Sequence, residues 1–217
     1  IALQSGYGES KWVAERVVQM ASKQHYLNAN TIRVGLLTGS ASGSWDTSHW
    51  VPALVQSGVH VGCLPDGNDV ISWLPTSLAA AVIVDMQSTM NETPYLVHPR
   101  PATWRAVMEP SASMLDIPLV PYVKWFARLK ATAEFTPRAA GGAGAMALKL
   151  IDLFQLGVKP AANRESMGLL PRVASYKGIQ ASPTLLNEKL PSLDSADVEK
   201  WIQYWREDGF LTPAKTS

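Results

Sequence analysis

An α/β fold is the class this sequence predicts: a few parallel strands joined through helices, followed by a mainly helical lobe. Three observations carry that expectation. An amphipathic stretch opens the chain over residues 7–23, with Trp12, Val13, Val17 and Met20 at helical spacing and Glu9, Glu15 and Arg16 between them. A mostly apolar run over residues 31–38 follows and ends at Gly39 in a Ser/Gly-rich loop. Such a run reads as a buried strand, and a helix leading into it is half of an α/β unit. After residue 90 the prolines crowd together (Pro94, Pro99, Pro101, Pro110, Pro118, Pro121), which argues for short elements joined by fixed turns.

Taken in order, Asn28-Ala29-Asn30 breaks the first helix. Residues 45–65 read as a loop and a short helix, with Trp50, Leu54 and Val55 on one face and a stop between Gly58 and Gly62. Residues 70–73 form a short strand, and Ser77 is placed to cap a helix from residue 78 to about 90. Residues 93–98 give another short strand. Beyond Arg100 the pattern predicts a helix over 104–114 interrupted near Pro110, a second over 120–133, a flexible joint over 137–144 and a helix over 145–156. Residues 171–184 offer little beyond a turn. Ser195 is expected to cap a last helix carrying Val198, Trp201, Ile202 and Trp205 on one face.

Composition narrows the function classes. A chain of 217 residues, 47% hydrophobic and 17% charged, is long enough for one good core or two small ones. A net charge of +1 gives no electrostatic case for nucleic acid or an anionic membrane. The longest apolar run, residues 78–84, is far too short to span a bilayer. Cys63 is the lone cysteine, which fits a reducing, cytoplasmic setting. No signal peptide is visible, and the chain begins at Ile1 rather than Met, so it reads as part of something longer. His25, His49, His60 and His98 show no metal-ligand spacing with carboxylates or with Cys63.

The chemistry concentrates in Tyr7-Gly8-Glu9-Ser10-Lys11-Trp12. Tyr7 and Lys11 are four residues apart, so on a helix they share one face. A phenol beside a fixed ammonium is a workable proton donor, because the cation stabilises the phenolate. Reduction of a carbonyl by hydride transfer needs such an acid–base pair. The bare spacing is a weak signal, and its context has to support it. Elsewhere the plain reading prevails. Trp201 and Trp205 pack a core, Cys63 is a small buried residue, and Arg100 and Arg105 are solvated. Gly141-Gly142-Ala143-Gly144 imitates a dinucleotide loop, but no strand precedes it.

That context resembles the C-terminal half of an extended short-chain dehydrogenase/reductase. Within that group it is similar to the thioester reductase domains of fungal adenylate-forming reductases, which are NRPS-like and aminoadipate-reductase-like enzymes. The resemblance rests on residues 6–15 as the catalytic helix and on Ile32-Arg33-Val34-Gly35-Leu36-Leu37-Thr38-Gly39 as the strand after it. It continues through Trp45, Trp50-Val51-Pro52, Ile71-Ser72-Trp73-Leu74-Pro75, His98-Pro99-Arg100-Pro101, residues 118–122 with Trp125, and residues 201–211.

The resemblance implies an oxidoreductase that uses NADPH to release an acyl chain, held as a thioester on a phosphopantetheine-bearing carrier protein, as an aldehyde. Tyr7 would donate the proton. Lys11 would tune Tyr7 and hold the nicotinamide ribose. The backbone at Val34, Gly35 and Leu36 would pass the nicotinamide, and Trp45 and Trp50 would line the substrate channel or, on the plainer reading of the residues, anchor the core of the small lobe. Residues 1–100 would be the C-terminal remnant of a Rossmann-type NADP-binding domain, with 41–69 contributing to the substrate lobe, and 101–217 would be the helical substrate lobe. The family's glycine-rich phosphate loop and its upstream Ser or Thr have no counterpart here, which implies weak NADPH binding by this chain alone. The alternative is a noncatalytic lobe that binds a carrier protein or acyl chain, or associates with itself through an exposed sheet face.

Overall fold

The computed structural model describes residues 6–24, 29–87, 93–135, 149–156 and 176–211. Its strands pair in twos. Three pairs are parallel: β1 (Arg33–Val34) with β6 (Tyr95–Leu96), β2 (Leu37–Thr38) with β5 (Leu74–Pro75), and β3 (Leu64–Asp66) with β8 (Leu119–Pro121). β4 (Val70–Ile71) runs antiparallel to β7 (Ala102–Thr103). Among the described residues the helices are α1 (Gly6–Lys23), α2 (Trp50–Val61), α3 (Thr76–Met86), α4 (Trp104–Leu115), α5 (Tyr122–Phe135), α6 (Ile151–Leu156), α7 (Tyr176–Gln180), α8 (Pro183–Leu186) and α9 (Ser195–Glu207). The class is therefore α/β, as the sequence predicts.

The strand expected over 31–38 is present but changes partner midway. Arg33 and Val34 lie beside Tyr95 and Leu96, whereas Leu37 and Thr38 lie beside Leu74 and Pro75. Gly35 stands at the crossover. Its N–H donates to the Leu96 carbonyl at 2.9 Å, and a Cβ there would come within 2.8 Å of Val97 Cγ1. The run is not fully buried either, because Val34 faces solvent.

Two hydrophobic cores result. The larger joins Trp45, Val51, Leu54 and Trp73 to Trp104, Val107, Trp125, Phe154, Trp201 and Trp205. The smaller gathers Leu74, Ala79, Val82, Met86, Leu96 and Leu185. Tryptophans organise the larger core: Trp45 meets Trp201 edge-on at 4.8 Å, and Trp50 lies parallel to Trp104 at 6.4 Å. Such contacts add about 0.5–1.5 kcal/mol each beyond area burial. Trp201 and Trp205 are core residues, as the sequence predicts, and Cys63 is buried.

Several local expectations need correction. Ser77 does not cap α3. The helix begins at Thr76 with Pro75 before it, and the Thr76 hydroxyl donates instead to the Thr38 carbonyl at 2.6 Å. Pro110 does not interrupt α4, which runs on to Leu115. A proline inside a helix costs about 3 kcal/mol. Burial of Trp104, Val107, Met108 and Ala112 along the helix outweighs that, at about 1.5–3 kcal/mol for each large apolar side chain. The α9 cap is Asp194, one residue earlier than expected, in a reciprocal pair with Asp197. The helix expected from 120 starts at Tyr122, because Leu119–Pro121 is taken by β8. Residues 171–184, read as little more than a turn, hold α7 and the start of α8, with the Ser182 hydroxyl capping α8. The joint at 137–144, its glycine cluster, residues 145–148, His25 and Asn28 lie outside the described residues.

Candidate functional site

α1 carries Tyr7 and Lys11 and is held to the body in an unusual way. None of its residues is buried. Trp12, Val13, Val17 and Met20, which the spacing marks as the helix's apolar positions, are between 47% and 62% exposed. Polar bonds from the opposite side attach it. Glu15 accepts two hydrogen bonds from the Arg33 guanidinium, at 2.7 and 2.9 Å. Arg33 also donates to the Tyr95 hydroxyl at 2.5 Å and lies over its ring. Gln19 reaches Thr93 at 3.4 Å. Arg33 holds the Glu15 carboxyl below the ordinary carboxylate range, and Glu15 in turn raises Arg33. A planar fork matched to a carboxylate is the strongest form such a pair takes.

Tyr7 and Lys11 sit one turn apart at the N-terminal end of this helix. The Lys11 ammonium lies 5.4 Å from the centroid of the Tyr7 ring, so both side chains project on the same side. Tyr7 is 74% exposed, and its phenol is open to an incoming group. Lys11 is exposed and has no ion-pair partner among the described residues. A cleft of about 260 Å³ lies at the other end of α1, against Val18, Gln19, Ser22, Asn30, Thr31 and Thr93. At 1.5 Å per residue that is roughly 20 Å from Tyr7.

The remaining site candidates are spread out. Val34 is exposed, and Gly35 and Leu36 are half-buried on the strand that pairs with β6 and β5. Trp45 is buried at 3% within the larger core, and Trp50 is half-buried beside it. Arg105 pairs with Asp66 at 3.2 Å, and Arg100 donates to the carbonyls of Asn187 and Glu188. Neither arginine is simply solvated. No group of three or more His, Cys, Asp or Glu residues able to hold a metal ion occurs among the described residues. Within them, no helix is long and apolar enough to cross a membrane. The Glu15–Arg33 pair was not anticipated from sequence, although both residues stand inside the segments that carry the resemblance.

The fold is of the α/β class, with an exposed phenol and ammonium side by side on α1, and comparison with known proteins narrows it. Residues 2–87 match an NAD-binding family described as Male sterility protein. An adenylate-forming reductase of Heterobasidion annosum is 40% identical over 219 residues, covering 97% of this chain and 20% of that protein. A second adenylate-forming reductase, from Serpula lacrymans var. lacrymans, is 30% identical, again over 97% of this chain and 20% of its own length. The chain thus spans about a fifth of the length of these two relatives. Among solved structures, the terminal R domain from the myxalamid PKS-NRPS pathway superposes with a TM-score of 0.73 at 24% identity, over 98% of this chain and 52% of that one. That likeness shows a shared fold. Over nearly its whole length the chain is thus homologous to one segment of fungal adenylate-forming reductases, and residues 2–87 match an NAD-binding family.

Proposed function

We propose that this chain is part of an NADPH-dependent thioester reductase that releases a carrier-protein-bound acyl chain as an aldehyde. The observation that carries the reading is the exposed Tyr7 phenol with the Lys11 ammonium beside it on α1. A bound nicotinamide supplies the hydride. The chain's own residues supply the proton and the placement. As the thioester carbonyl is reduced, charge builds on its oxygen, and a donor fixed where that charge appears lowers the barrier. Tyr7 is that donor. Lys11 stabilises the phenolate left behind and offers its remaining N–H groups to the ribose. The phenolate then takes back the hydroxyl proton as the C–S bond breaks, leaving the aldehyde and the pantetheine thiolate, which is protonated from solvent. The backbone at Val34, Gly35 and Leu36 borders the nicotinamide. Trp50 lines the approach of the acyl–pantetheine arm, while Trp45 is buried in the larger core, linked to Trp50 through Trp73. We further propose the division at residue 100, with residues 41–69 belonging to the substrate lobe. The larger core, which joins Trp45 and Leu54 to residues beyond 101, supports it.

The test is product formation by the natural protein that carries this chain. It is supplied with NADPH and an acyl thioester on a phosphopantetheine-bearing carrier protein. Aldehyde in step with NADPH consumed is the expected result. Absence of thioester-dependent oxidation under conditions where NADPH binds would contradict it. A second reading, a noncatalytic or self-associating lobe, draws on the exposed apolar row of Val13, Val17 and Met20. It is separated from the first by the same assay run beside a sizing column.

A further inference from the structure

We infer that Glu15 and Arg33 form a positioning clamp that sets where α1 holds Tyr7 and Lys11. The inference rests on the proposed reductase reading for its catalytic consequence, but not for the clamp itself. An amphipathic helix is ordinarily fixed by burying its apolar face, and α1 buries no residue at all. What remains to fix its rotation and its axial position is directional bonding. The Glu15 carboxylate, itself only 11% exposed, takes both arms of the Arg33 fork. Arg33 is in turn held by the Tyr95 hydroxyl and stacked on that ring. Arg33 and Tyr95 face each other across the β1–β6 pair, so the clamp anchors the helix to a strand register. Gln19 supports it from the next turn, donating to Glu15 at 3.2 Å and to Thr93 at 3.4 Å. Glu15 follows Lys11 by four residues and Tyr7 by eight, so a rotation about α1 that frees Glu15 also swings both reactive side chains. A loss of placement of about 1 Å at a reacting group costs on the order of a hundredfold in rate.

The experiment compares wild type with Glu15→Gln, with Arg33→Lys and with the charge-exchanged pair Glu15→Arg/Arg33→Glu, in the natural protein carrying this chain. Three readouts are taken: thioester-dependent kcat and KM, amide hydrogen exchange across residues 6–23, and the thermal midpoint. The expected result for Glu15→Gln is a kcat lower by about tenfold to a hundredfold with KM within about twofold. Exchange in α1 should be faster, and the midpoint should move by only a few degrees. The exchanged pair should recover part of both kcat and protection. Unchanged exchange in α1 for Glu15→Gln would overturn the clamp. So would lost kcat that the exchanged pair fails to restore while the midpoint falls steeply, because Glu15 would then serve only the fold. If Glu15→Gln loosens α1 but Tyr7→Phe retains the full rate, the clamp stands and the reductase role of Tyr7 falls.

Discussion

His98 shows how much a single residue's surroundings decide. Its imidazole is buried at 3%, and its Nδ1 accepts the Arg100 backbone N–H at 3.1 Å. Burial disfavours the charged ring and pulls its pKa below the ordinary value near 6.5. The unfolded chain therefore takes up this proton first as pH falls. The His98 contribution to stability is complete above about pH 6.5 and declines as pH drops toward the folded-state value. Urea unfolding between pH 8 and 5 should show this decline in the wild type and a shallower one in His98→Asn, which keeps an acceptor at that place. Equal slopes would remove His98 as the cause. Sequence alone showed only that His98 lacks metal-ligand spacing. It could not show the ring's burial, which is set by chain segments far away. Tyr7 and Lys11 were legible for the opposite reason, since four residues along one helix fix their proximity.

Elements followed the sequence where a local signal stood alone and departed from it where a distant partner intervened. α1 and α9 begin within a residue or two of where periodicity placed them, and α2 carries the expected face and ends inside the expected stop at Gly58–Gly62. The strand through Gly35 was read as one unit, because nothing in its own residues records that β6 and β5 share it between them. α7 escaped notice because its place depends on a contact rather than a pattern. Gly178 lies so close to the Tyr95 backbone that a Cβ would stand 2.0 Å from that carbonyl oxygen, with no flexible side chain to yield. Gly178→Ala should therefore destabilise by about 1–3 kcal/mol through overpacking, read as a lower midpoint in thermal unfolding. An unchanged midpoint would mean that α7 is free to move off β6.

At the scale of the whole molecule, the two cores explain why one helix could stay so lightly held. The tryptophan-rich core ties residues 45–73 to the later helices, and the smaller core closes α3 against β5, β6 and α8. α1 contributes to neither and is held beside β1 by a polar fork, with Tyr7 and Lys11 exposed at its N-terminal end. Identity of 40% across nearly the whole chain shows that the early α/β part and the later helical part descend together in the fungal relative. The central claim is that Tyr7, with Lys11 beside it, delivers the proton during carbonyl reduction. The most direct test is turnover of a carrier-bound acyl thioester by the natural protein bearing Tyr7→Phe. The account expects aldehyde formation to fall at least about a hundredfold, in the range that a positioned proton donor contributes, with NADPH affinity within twofold of wild type. An undiminished rate would contradict it.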